Sequence, residues 1–199
     1  MNQREIIELI GSWLVVSIAF AWVMKSDFGI AFPNNFIFAL VVALVATGTG
    51  FILHELAHKY VAIRYGAVAE YYAWPFGLFF ALVMAVGFGF VFAAPGAVYI
   101  FGPHIDAKQN GIISVAGPIT NIIIGVLFFV AFLLLSVANL DSLAVIAAIA
   151  GQINLFLALF NLIPIGPLDG SKVFAWNKLV WGALFVPLAL IWLFVFRLF

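Results

Sequence analysis

Eighteen residues without a charge, Phe36 to Leu53, run directly into His54-Glu55-Leu56-Ala57-His58. An uncharged stretch of that length is enough to cross the hydrocarbon core of a bilayer as a helix. If the helix continues through the motif, two imidazoles four residues apart share one face and can grip one metal ion. Glu55, between them, is placed to take a proton from water. On a soluble helix this pattern points to a metalloprotease. At the end of a lipid-spanning helix it points to hydrolysis within the membrane.

The rest of the chain has the composition that a membrane requires. Hydrophobic residues make up 67% and charged residues 8% of its 199 residues, against roughly 45–50% and 25% in soluble domains. At about 20 residues per crossing the length allows five or six spans in one domain, 1–199. Formal net charge is zero, which implies no nucleic-acid partner. There is no Cys, so thiolate ligands and a nucleophilic thiol are excluded and His, Asp and Glu remain as metal ligands. Arg4, Glu5 and Glu8 precede the first apolar stretch and no small-residue cleavage site ends it, so it reads as a retained span.

Five apolar stretches read as spanning helices: 9–24, 36–65, 112–138, 143–163 and 178–198. Residues 77–94 are also apolar, but Gly87, Gly89 and Ala93-Ala94-Pro95-Gly96 interrupt them, and Val98-Tyr99-Ile100 reads as a short strand. If this stretch dips into the membrane and returns, Arg4, Lys59, Arg64, Lys108, Lys172 and Lys178 share one face, leaving Lys25 and Arg197 opposite. A full crossing divides the same residues four and four. Positive charge accumulates on the cytoplasmic side, so the uneven division is favoured. The expected fold is an all-α polytopic membrane protein with about five spans and a re-entrant segment bearing a short β element, the alternative being six full spans. Re-entrant backbone must be covered by protein or line a wet cavity, so this segment belongs beside the site, where its edge is available to an extended substrate.

Catalytic zinc takes three protein ligands and leaves one position open. Glu5, Glu8, Asp27 and Asp141 fall in the wrong places for a third ligand, and Glu70 and Asp106 flank the re-entrant segment. Asp169 ends Asn161-Leu-Ile-Pro164-Ile-Gly-Pro167-Leu-Asp169-Gly170. The prolines break the preceding helix, and the rigid turn aims the carboxylate. The re-entrant topology also brings Asp169 to the face on which His54 and His58 lie.

These motifs resemble those of the site-2 proteases, zinc-dependent intramembrane metalloproteases. His54-Glu55-Leu56-Ala57-His58 matches the first family motif. Asn161-Leu-Ile-Pro164 with Leu168-Asp169-Gly170 matches the second, and Ala116-Gly117-Pro118-Ile119-Thr120-Asn121 a further one. The likeness covers a core of about 36–178, and the apolar insert at 77–94 departs from it. The resemblance implies one Zn2+ per chain on His54, His58 and Asp169, with Glu55 as general base. It further implies that Asn161 engages substrate or the oxyanion, that Pro167 contacts substrate, and that the partner is a transmembrane protein cut in or near its membrane segment.

Blander readings stand beside these. Asn161 also serves as a cap for a broken helix. Asn154 shares its face and either orients a ligand or bonds a neighbouring helix. Gly117-Pro118 either loosens the helix near the site or packs it closely. His104 with Asp106 makes a poor second metal site, and Lys59 and Arg64 are expected to snorkel to the interface. Two rival functions remain, a divalent-metal transporter and an inactive protein that binds membrane helices. Intact Glu55 and polar groups gathered at one depth weigh against both.

Overall fold

The computed structural model describes residues 1–27, 36–91, 95–102 and 105–194. Among them four helices are long and apolar enough to cross a membrane: Gln3–Lys25, Phe36–Arg64, Ala107–Val137 and Asp141–Asn161. In chain order the elements are α1 (Gln3–Asp27), α2 (Phe36–Thr47), a π-helical turn (Gly48–Ile52), α3 (Leu53–Arg64), β1 (Val68–Ala73), α4 (Pro75–Phe88), β2 (Gly96–Phe101), α5 (Ala107–Val137), α6 (Asp141–Asn161), α7 (Asp169–Trp176) and α8 (Lys178–Phe194). The all-helical expectation holds for the spans, with a two-stranded sheet between them. The fifth expected span corresponds to α8, a shorter apolar helix of 17 described residues, and Arg197 lies outside the described residues.

The sheet and α4 form the excursion that the broken apolar stretch suggests. β1 and β2 are antiparallel, with Tyr71 opposite Val98 and Ala73 opposite Gly96. The chain therefore leaves the sheet at Ala73 and rejoins it beside the same residue, and the Trp74 N–H donates to the Pro95 carbonyl at 2.9 Å. α4 starts at Pro75, whose fixed φ suits the first helical position. It has 14 residues, about 21 Å of helix, short of the ~30 Å hydrocarbon thickness.

α1 begins at Gln3 rather than at residue 9 because its early polar residues have partners. The Tyr71 N–H donates to Glu5 at 3.0 Å and the Ala73 N–H to Glu8 at 2.9 Å. Arg4 pairs with Glu70 at 2.8 Å. Glu5 is 1% exposed and meets the buried Lys59 in an ion pair. The expectation that Lys59 snorkels is thus corrected: a buried carboxylate sits where its ammonium ends, and pairing removes the need to reach water. The outer edge of β1 is in this way covered by carboxylates of a helix, one means of protecting a sheet edge.

α5 opens with a capping box. The Gln109 N–H donates to Asp106 at 2.7 Å, and the Asp106 N–H donates to the Gln109 side chain at 3.1 Å. Asp106 is occupied as a cap, which answers its candidacy as a metal ligand, and His104 lies outside the described residues. α5 and α6 pack as an antiparallel hairpin turned at Asn139, whose φ is 56°. α6 ends at Asn161, and residues 162–168 fold back so that α7 docks on α5. At the α7 start a Cβ on Gly170 would lie 2.1 Å from the Leu162 carbonyl oxygen. Only glycine lets the two backbones approach this closely, and the approach fixes where Asp169 points.

Candidate metal centre

Two helices and one turn converge on a buried cluster. His54 and His58 lie on α3, one turn apart, and Asp169 is the first residue of α7. All three are buried. His54 Nε2 is 3.0 Å from His58 Nε2, and Asp169 Oδ2 lies 3.2 Å from the first and 3.0 Å from the second. Among the described residues these form the group of three His, Asp or Glu side chains able to hold a metal ion.

The donor set fits zinc. Ligands ~2.1 Å from a tetrahedral ion lie roughly 3.4 Å apart, close to the spacing seen here. Two imidazole nitrogens and a carboxylate oxygen facing one another need a cation or shared protons between them. The Ile113 carbonyl lies 2.8 Å from His58 Nδ1. A proton on that nitrogen donates to the carbonyl and leaves the Nε2 lone pair directed into the cluster. Burial by itself raises the Asp169 pKa, but His58 and His54 outweigh it and hold the carboxyl well below the usual carboxylate range. Lys172, one turn along α7, is 3.7 Å from Asp169 Oδ1.

The fourth wall of the cluster is bare backbone. A Cβ on Gly117 of α5 would lie 2.5 Å from both His54 Nε2 and His58 Nε2. Of the two readings open for Gly117-Pro118, close approach is the one seen, and what Gly117 approaches is the cluster itself. The wide π turn Gly48–Ile52 ends two residues before His54. Such turns inside α-helices occur often at functional sites.

Glu55 is buried on the same helix, and its Oε2 accepts the Val98 N–H of β2 at 3.1 Å. The remaining candidates are more loosely placed. Asn161 donates to Leu157 of its own helix at 3.0 Å. Pro167 is exposed in the turn before Asp169. Asn154 is buried and donates to Thr49 Oγ1 at 3.1 Å and to the Ala150 carbonyl at 2.8 Å. Its bonds run to the π turn and to its own helix, as a helix-packing group's would.

The chain is 41% identical over 187 residues to a Methanocaldococcus jannaschii protein provisionally named zinc metalloprotease MJ0611, covering 94% of this chain and 92% of that one. It is 30% identical over 161 residues to a Bacillus subtilis protein provisionally named zinc metalloprotease YwhC, covering 71% and 70%. A second M. jannaschii protein, zinc metalloprotease MJ0392, is 26% identical over 169 residues, 85% of this chain and 43% of its own length. No family model matches the chain, and no solved structure does.

Proposed function

Because this chain belongs to the site-2 protease family of zinc metalloproteases, we propose that it hydrolyses a peptide bond in or near a transmembrane segment of another membrane protein. The observation that carries this reading is the meeting of His54, His58 and Asp169 beside Glu55 on a helix long enough to cross the bilayer. The three would hold the zinc. Bound there, zinc supplies a Lewis acid that polarises the scissile carbonyl and acidifies water.

The chain's own residues do the rest. Glu55 takes the proton of the attacking water and returns it to the departing amine nitrogen. The Ile113 carbonyl fixes the His58 imidazole. Asn161 engages the developing oxyanion once its amide leaves the Leu157 carbonyl, and Pro167 lines the substrate's path. A helical substrate has its carbonyls bonded already, so it must unwind locally, and the outer edge of β2 receives the extended segment. Substrates are therefore expected to carry small, polar or helix-breaking residues near the cut. The excursion of the chain between Ala73 and Gly96 supports a re-entrant α4, and with it a site on the lysine- and arginine-rich, cytoplasmic face.

Zinc content and cleavage of a membrane-embedded segment, compared between wild type and Glu55→Gln, test the proposal. The variant is expected to keep its zinc and to lose at least about a hundredfold in kcat. A wild-type protein that binds zinc and never cleaves returns the reading to a transporter. Equal capture of substrate by both forms without cleavage returns it to a binding protein.

A further inference from the structure

The hydrogen bond between Val98 and Glu55 has a geometry that sets a condition on when Glu55 is free. In an antiparallel pair the N–H and C=O of one residue point to the same side, and opposed residues point both inward or both outward. The Tyr71 N–H points out of the sheet to Glu5. Val98, opposite Tyr71, must also point outward, and its N–H does so, to Glu55. By the same alternation the main-chain groups of Gly96 and Ile100 lie along that outer edge. The other edge, on β1, is covered by α1 through Glu5 and Glu8. Among the described residues no strand pairs with the outer edge of β2, and Glu55 holds its central donor.

Resting on the reading of the site given above, we propose that the Val98 main-chain N–H is a latch on Glu55 that an extended substrate opens by taking the same N–H. A strand laid along β2 needs that N–H for one of its own carbonyls. One proton does not serve two full acceptors, so seating the substrate and freeing Glu55 are a single event. While the Val98 N–H holds Oε2, that oxygen is committed to β2, so Glu55 is free to turn to the attacking water only with a substrate backbone in place. Val98 is thereby a positioning residue acting through Glu55. Its side chain packs with Leu9, Phe51 and Tyr71, which holds the N–H at its post.

The test uses the full chain with zinc bound. Val98 is replaced by its α-hydroxy analogue, turning the amide into an ester and deleting only the N–H. Val98→Pro is a second variant, because the N–H it removes lies outside the sheet ladder. The substrates are a peptide too short to run along β2 and a full transmembrane segment. The ester and proline variants are expected to raise kcat for the short peptide about tenfold, the worth of one hydrogen bond to a charged group. They are also expected to raise KM for the long segment. A kcat for the short peptide that falls or stays level in the ester variant overturns the latch. Hydrogen exchange judges it without turnover: the Val98 amide is expected to exchange faster in Glu55→Ala than in wild type, and equal rates overturn it. If the wild-type enzyme cleaves neither substrate, the protease reading fails, and the exchange rates still decide the latch.

Discussion

Gly117 is the residue whose role the cluster makes plainest. Any side chain there enters the space between His54 and His58, since its first carbon would lie 2.5 Å from both Nε2 atoms. Gly117→Ala is expected to lower zinc occupancy at least tenfold, measured as metal per folded protein, and to cost about 1–3 kcal/mol from overpacking. An alanine variant with full zinc would show that α5 is free to yield. His54, Glu55 and His58 are legible in the sequence because their spacing alone puts two rings on one helical face. Asp169 is legible because prolines and a glycine surround it. Gly117 is not, because its meaning lies in side chains some sixty positions away. Lys59 is misread for the same reason: nothing near it in sequence reveals that Glu5 of another helix ends beside it.

Among the elements, the β1–α4–β2 excursion is the departure that most affects the site. Ala73 and Gly96 already stand opposite each other, so a four-residue loop centred on Asn-Gly is able to join the strands directly. Replacing residues 74–95 with that loop is expected to leave the sheet and zinc binding in place while lowering the melting temperature, because α4 packs on α1. Zinc lost along with α4 would show that the sheet depends on it. The sequence reveals β2, where Val98-Tyr99-Ile100 stands between glycines, and hides β1. Val68-Ala-Glu-Tyr-Tyr-Ala carries no alternation of polar and apolar residues, and its charged member, Glu70, is held by Arg4 across the fold. The start of α1 is hidden likewise, since charged residues before an apolar run mark its beginning only when they lack partners.

At the scale of the molecule, the α5–α6 hairpin and the returning sheet fix which ends lie together. Tyr65, at the end of α3, and Lys172, on α7, are expected to be labelled from the same face of the membrane when changed to Cys in this cysteine-free chain, and Asn139 from the other. Labelling of Tyr65 and Lys172 from opposite faces would contradict the arrangement around Asp169. The carboxylates of α1 also impose an order on biosynthesis. Glu5 leaves the ribosome well before Lys59, 54 positions later, and before the Tyr71 amide that it accepts. Until those arrive, the first helix bears a carboxylate with no counterion, so nascent chains halted short of β1 should remain poorly anchored and open to quality-control proteases.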